Sequence, residues 1–199
     1  MEQRQLVVNT PRLRLFPAEA ADLRAQTAGN APLAARLGAQ VAPGWPLPEL
    51  ADAQAWFLEK TDAAGGFSPW LVWYAVLTRA AAEKDFARAL RPDEDGILVG
   101  SGGFLGAPAQ DGPEAGCVEV GYALAPEFRG RGVAFEMVSG LCEWAFSQTL
   151  AEVRKIRART EPGNAASAAL LLRLGFRLHG CDETGCDRYV LHRTLCSMR

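Results

Sequence analysis

With 199 residues, 49% of them apolar and 22% charged, the chain is expected to form one domain, 1–199, with a sizeable core. A net charge of −2, with 18 arginines and 3 lysines spread along the chain, excludes the clustered basic stripe of a nucleic-acid-binding face. No run reaches the roughly 18 consecutive apolar residues of a membrane span, Met1-Glu2-Gln3-Arg4-Gln5 does not open a signal peptide, and Cys117, Cys142, Cys181, Cys186 and Cys196 form no CxxC pair, so a soluble, cytoplasmic protein with reduced thiols and no metal site is expected.

Leu6 to Phe16 reads as a first strand broken at Thr10-Pro11, with Leu13 and Leu15 alternating against Arg12 and Arg14, so that one face is buried. Ala18 to Asn30 and Leu33 to Gln40 carry helical patterns separated by Gly29-Asn30-Ala31-Pro32. The stretch Ala42 to Pro48 breaks regular structure, and its Trp45 belongs either to a rigid lid over an acceptor site or to a plain linker. Leu50 to Asp62 recovers a helix with Trp56 and Phe57. Trp70 to Leu77 reads as a central strand whose Trp73 and Tyr74 pack in the core.

Thr78 to Gly96 is long for a hairpin connection, which normally takes about 2–5 residues. Its helix-prone Ala80 to Leu90 and the acidic tip Asp93-Glu94-Asp95 are expected to form a solvated excursion, with a partner contact as the alternative. Ile97 to Leu105 is the next strand. No helix follows its Gly100-Ser101-Gly102-Gly103, so these glycines mark close packing or a bulge and not a phosphate loop.

After a polar turn, Ala107 to Gly116, comes the most informative stretch of the chain. Val118 to Leu124 reads as a strand, Ala125-Pro126-Glu127-Phe128 as a turn, and Arg129-Gly130-Arg131-Gly132-Val133-Ala134 as the entry to a helix running from Gly130 to Gln148. Val133, Met137, Leu141, Trp144 and Ala145 give that helix its core face. A strand feeding a glycine-rich turn at a helix start is an anion site: unpaired N–H groups and the positive end of the dipole face the ligand, and glycines let a phosphate approach. The P-loop pattern GxxxxGK[ST] is absent, and GxGxxG fails because Val133, Ala134 and Phe135 follow Gly132.

Arg154 to Thr160 alternates as a strand, Asn164 is placed to cap the following helix, and Gly175 ends that helix in the left-handed position. Phe176 to His179 and Arg188 to Thr194 form the last strand pair, joined by Gly180 to Asp187. His179 and His192 read as structural. Asp182, Glu183 and Asp187, with Glu49 and Asp52, would suit a cationic acceptor, although an acidic loop is usually just solvated.

Two of these stretches carry a family resemblance. Arg129 to Ala134 fits Gln/Arg-x-x-Gly-x-Gly/Ala and resembles the GNAT superfamily of N-acetyltransferases, where this turn holds the pyrophosphate of acetyl-CoA. The helix Asn164-Ala-Ala-Ser167 through Gly175-Phe176 is similar to the N-x-x-S…G-F helix of the branch that acetylates ribosomal-protein N-termini at alanine or serine, and of its small-molecule relatives. The resemblance covers residues 96 to 195, with a looser echo in Thr10-Pro-Arg-Leu-Arg-Leu15.

It implies an α/β (α+β) fold with a central twisted, mostly antiparallel mixed sheet flanked by helices, and direct acetyl transfer from acetyl-CoA to a primary amine. The amine belongs to a protein N-terminus or a small molecule: an N-terminal residue, a polyamine, an amino acid or an antibiotic. Neither nucleic acid nor membrane is expected as a partner, and homodimerisation is left open. The cofactor contacts implied are Leu124, Ala125, Arg129, Gly130, Arg131, Gly132, Val133, Ala134, Asn164 and Ser167, with free backbone groups of the Val120 to Ala125 strand polarising the thioester carbonyl where that strand splays from its neighbour.

An alkyl amine with a pKa near 10.4 must lose a proton. Glu119 is the candidate base, standing in an apolar strand where related enzymes often carry a glutamate; its alternative is a solvated residue paired with an arginine. Ser167 is the candidate near the leaving sulfur, more a cofactor contact than an essential acid, with Tyr189 an alternative. Asn164 either caps its helix or also bonds the cofactor. Two rival readings are a non-catalytic acyl-CoA-binding module and a nucleotide-binding protein that ATP or NAD would stabilise.

Overall fold

The computed structural model describes residues 6–193. The backbone gathers into two compact units: one takes the chain up to Gly103 together with Tyr122–Gly140, the other takes Phe104–Gly121 and the chain from Leu141 onward.

In the first unit, β1 (Val8–Asn9) turns back along β2 (Leu13–Pro17), and β2 pairs antiparallel with β4 (Val72–Thr78), which pairs antiparallel with β5 (Gly96–Phe104). The break at Thr10-Pro11 separates β1 from β2, and Leu13 and Leu15 are buried as their alternation predicts. α1 (Ala20–Ala28) and α2 (Asn30–Leu37) follow. Gln40 does not extend the second helix: Gln40–Val41 is a short strand, β3, lying parallel to β5. The single helix expected over 50–62 is split into α3 (Pro48–Ala51) and α4 (Gln54–Ala63).

Trp73 and Tyr74 are each 1% exposed, and Trp45 is buried with them. Trp45 Nε1 and the Tyr74 hydroxyl both donate to Gln26 Oε1, at 2.9 and 2.8 Å, and the Trp45 and Tyr74 rings meet edge to face. The loop around Trp45 is thus neither lid nor plain linker but an anchor, since burying a large aromatic contributes about 1.5–3 kcal/mol once its polar tip is bonded.

The stretch between β4 and β5 is also more than a solvated excursion. α5 (Arg79–Phe86) is capped by Thr78, whose hydroxyl accepts from the Ala81 N–H. Glu94 of the acidic tip is buried and accepts from Gln40 Nε2, the Arg91 N–H and the Arg91 guanidinium, while Arg79 donates to its carbonyl. Burial pushes the Glu94 carboxyl up, but these partners outweigh it and hold it below the ordinary value.

Of the two expected purposes, close packing is met at Gly100, and the bulge falls on Val99 just before it. A register shift falls between Ala75 and Val76 of the partner strand. A Cβ on Gly100 would come within 2.8 Å of the Ala123 carbonyl oxygen and 3.0 Å of Leu124 Cδ1.

In the second unit the start of β6 (Cys117–Leu124) pairs parallel with β7 (Lys155–Thr160), β7 pairs antiparallel with β9 (Asp187–His192), and β9 pairs with the edge strand β8 (Arg177–Cys181). β8 runs two residues past the expected His179. Thr194 and Cys196 lie outside the described residues. α6 (Val133–Ser147) starts in the first unit and ends in the second, and its five predicted core residues are all buried. α7 (Ala165–Arg173) follows β7. The fold is thus α/β with mostly antiparallel pairing, β3 with β5 and β6 with β7 being the parallel pairs. No helix among the described residues is long and apolar enough to cross a membrane.

Candidate active site

The anion turn is built on a 3-10 turn, Pro126–Phe128, whose proline takes the first position and whose Phe128 is buried against Phe86 of α5 at 5.2 Å between ring centroids. Gly130 and Gly132 then adopt left-handed backbone at φ 73° and 76°. That conformation costs an L-residue roughly 1–2 kcal/mol, which is why glycine stands at both. None of the N–H groups from Gly130 to Ala134 has a backbone partner among the described residues, because the first helical bond of α6 runs from the Glu136 N–H to the Gly132 carbonyl. Five adjacent donors at the positive end of a 15-residue helix form a ready cradle for pyrophosphate.

The arginines within the turn are turned away from clamp duty. Arg129 Nε donates to the Leu124 carbonyl at 2.8 Å, and the Arg131 guanidinium lies over the Phe86 ring at 4.5 Å. Arg88, two residues past the end of α5, adds an ion pair to Glu127 at 2.7 Å. The long connection before β5 therefore props the turn. Ala125 needs a correction: its N–H donates to the Val99 carbonyl and its carbonyl accepts from Phe128, so it offers the cofactor no unpaired N–H.

Sequence reasoning missed the brace on the other side of the turn. Glu136, in the first turn of α6, accepts from Thr10 Oγ1 (2.6 Å), the Arg12 N–H (2.7 Å) and Arg12 Nε (2.7 Å), while Arg12 Nη1 donates to the Arg131 carbonyl (3.0 Å). Burial raises the Glu136 carboxyl, but the Thr10 and Arg12 hydrogen bonds and the Arg12 charge hold it below its ordinary value. The signal lay in Thr10-Pro11-Arg12, noted only as an echo of the first strand.

In the second unit, β6 and β7 pair from Cys117↔Lys155 to Glu119↔Arg157, while β7 continues to Thr160. Gly121 is exposed, and a Cβ there would meet nothing within 4 Å. The register of β6 with β7 is thus given as far as Glu119.

Glu119 is half-buried. Among the described residues no arginine forms an ion pair with it: its register neighbour Arg157 bonds Glu114 at 3.0 Å, and Lys155 joins the same carboxylate at 3.3 Å. These two cations hold the Glu114 carboxyl low. Arg159 feels the Glu119 charge but bonds Asp182 at 2.9 Å.

Asn164 does cap α7, its Oδ1 accepting from the Ser167 N–H at 3.1 Å; Ser167 itself is half-buried. Gly175 is left-handed at φ 92°. Tyr189 is 3% exposed on β9, and both histidines lie on exposed strand positions. Among the described residues no cluster of His, Cys, Asp or Glu could hold a metal.

A turn of unpaired N–H groups opened by two glycines at a helix start suits the pyrophosphate of a donor such as an acyl-CoA. Residues 12–177 match the acetyltransferase (GNAT) domain family, and the chain belongs to that family. It is an acetyltransferase, and its donor is acetyl-CoA. The chain is 29% identical over 177 residues to the uncharacterized N-acetyltransferase YjdG of Bacillus subtilis, covering 87% of this chain and 91% of that protein. Among solved structures it shares its fold with the ribosomal-protein-S5-alanine acetyltransferase of Vibrio fischeri (TM-score 0.57, 15% identity, 98% and 100% of the two chains). Mycobacterium smegmatis RimJ in complex with CoA-disulfide is similar as well (TM-score 0.56, 16% identity, 90% and 81%).

Proposed function

We propose that the chain is one acetyltransferase domain, 1–199, that passes an acetyl group directly from acetyl-CoA to a primary amine, on a protein N-terminus or a small molecule. The observation that carries this reading is the row of N–H groups from Gly130 to Ala134 without backbone partners, opened by two left-handed glycines at the start of α6. Gly130, Arg131, Gly132, Val133 and Ala134 hold the pyrophosphate through the backbone, whereas Arg129, whose N–H donates to the Pro126 carbonyl, serves only to shape the turn. Leu124, Asn164 and Ser167 are the further cofactor contacts that the family resemblance implies; the Asn164 oxygen caps α7 and its amide donors stay available.

The amine nitrogen attacks the thioester carbon, the C–S bond breaks, and the proton lost by the amine passes through water to Glu119 while the thiolate leaves. A thiol near pKa 8.5 leaves with little need of an acid, so Ser167 serves as a contact. Direct transfer is favoured over an acyl-enzyme because the thiols that titrate away from their ordinary value do so upward: burial lifts Cys117 and pushes Cys142 up to about 12, and a hydrogen bond with Asp187 lifts Cys181. Free cysteines among the described residues also favour the cytoplasm. The test is a thiol-release screen of acetyl-CoA over N-terminal peptides, polyamines, amino acids and aminoglycoside-type amines. Release with one class supports the reading; CoA binding without release from any would point to a module that only binds acyl-CoA.

A further inference from the structure

We propose that Arg12, on the strand end 117 residues before Arg129, is a direct ligand of the donor's pyrophosphate as well as a brace of the turn. The inference rests on the donor-site reading above.

Arg12 divides its guanidinium between two tasks. Nε is spent on Glu136 at 2.7 Å and Nη1 on the Arg131 carbonyl at 3.0 Å. Nη2 has no hydrogen-bond partner among the described residues. It lies 3.5 Å from the point a Cβ on Gly132 would occupy, beside the residue where the turn must let a phosphate in. The ion pair and the carbonyl bond fix the plane of the fork, so the unused N–H groups are held at the turn before any ligand arrives.

The surroundings make Arg12 the cation for this place. Arg129 is committed to the Leu124 carbonyl and Arg131 to the face of Phe86, so neither of the turn's own arginines presents its guanidinium as Arg12 does. Glu136 stands at the positive end of α6, where an anion is favoured, and would repel a phosphate if its charge were uncovered. Arg12 covers that charge with Nε and keeps Nη2 for the ligand. A planar guanidinium can do both at once because its donors are fixed as a fork; an ammonium is a single point charge and cannot.

The test is calorimetric titration of wild type, Arg12→Gln, Arg12→Lys and Glu136→Gln with CoA, dephospho-CoA and pantetheine. Arg12→Gln should weaken CoA about 10- to 100-fold, the worth of charge-assisted hydrogen bonds, and leave pantetheine unchanged. The same penalty should appear with dephospho-CoA, which keeps the pyrophosphate. Arg12→Lys should recover part of the loss, and Glu136→Gln, which breaks the brace but retains the cation, should cost less than Arg12→Gln.

An Arg12→Gln variant with the wild-type ratio of CoA to pantetheine affinity, a penalty that vanishes with dephospho-CoA, or an equal loss in Glu136→Gln would each overturn the proposal. If Arg12→Gln does not fold, Arg12→Lys against Glu136→Gln still decides it: the proposal requires the lysine variant to lose CoA affinity without losing pantetheine affinity. Wild type binding CoA no more tightly than pantetheine would instead remove the donor-site reading itself.

Discussion

The turn from Arg129 to Ala134 and the strand around Glu119, to which the proposed function gives donor binding and proton acceptance, are prepared very differently. Around the turn nearly every side chain is engaged: Arg129 on a carbonyl, Arg131 on Phe86, Glu136 on Thr10 and Arg12. What stays open is backbone. Around Glu119 the neighbouring cations are engaged instead, with Lys155 and Arg157 on Glu114 and Arg159 on Asp182, and what stays without an ion-pair partner among the described residues is one carboxylate. A donor that never varies can be met by preorganised amides, which need no reorganisation on binding. A proton acceptor has to keep its lone pairs, so its neighbours are held away from it.

The largest effect is expected where the first arrangement is broken. Gly132→Asp places a negative charge against the incoming pyrophosphate, while its carboxylate would sit beside Arg12, where a Cβ has ordinary contact space. The variant should fold, at a cost of about 1–2 kcal/mol for the left-handed backbone, and lose measurable CoA binding by calorimetry. Retained affinity in a folded variant would show that the turn does not hold the phosphates.

Breaking the second arrangement costs rate and spares donor binding. Glu119→Gln keeps the shape but removes the basic site, so turnover should fall about 10²- to 10⁴-fold with CoA affinity near wild type. The ascending limb of the rate against pH should disappear in the variant once the amine's own ionisation is allowed for. Full turnover with an unchanged pH profile would make Glu119 a structural residue and leave bulk water as the acceptor of the proton.

The brace under the turn can be tested through stability. The folded Glu136 carboxyl is held below its ordinary 4.5, so the unfolded chain takes up a proton at higher pH than the folded one. Its contribution is therefore present in full above about pH 4.5 and is lost as pH falls through the depressed value. Glu136→Gln should cost about 1–3 kcal/mol in urea unfolding at pH 7, and the gap from wild type should close as the pH is lowered. A gap that stays constant with pH would mean that the charge is not what matters.

How much of this could be read in the sequence follows from distance along the chain. The turn, its glycines, the core face of α6 and the Asn164 cap are local patterns, complete within a few residues, and the structure places them as read. Arg12 and Glu136 are 124 residues apart, and Trp45, Gln26 and Tyr74 meet from three separate elements. No spacing rule announces either group, because their partners are chosen by topology. Glu94 misled for the same reason: an acidic tip reads as solvated until Gln40, on a strand that itself resembled a helix end, is brought to it. Glu119 was legible as an oddity in an apolar strand, but that no arginine pairs with it among the described residues depends on Glu114, three residues before β6 begins, taking Lys155 and Arg157, and on Asp182 taking Arg159.

The smallest effect is expected at Ser167, where the two arrangements make opposite demands. If the leaving thiolate needs a proton donor, the hydroxyl belongs with Glu119 as a reacting group; if it does not, Ser167 belongs with the turn as a contact. Ser167→Ala separates these cleanly, because the Asn164 cap uses the Ser167 N–H and survives loss of the side chain. The helix start should stay intact, whereas Asn164→Ala would lose about 1 kcal/mol of capping. A thiol near pKa 8.5 is a good leaving group at neutral pH, so turnover at saturating acetyl-CoA should fall only a few-fold, with a comparable rise in KM for the donor as one neutral hydrogen bond is lost. A fall of about 10²-fold or more in kcat with KM unchanged would place Ser167 in the chemistry, as the acid that protonates the departing sulfur.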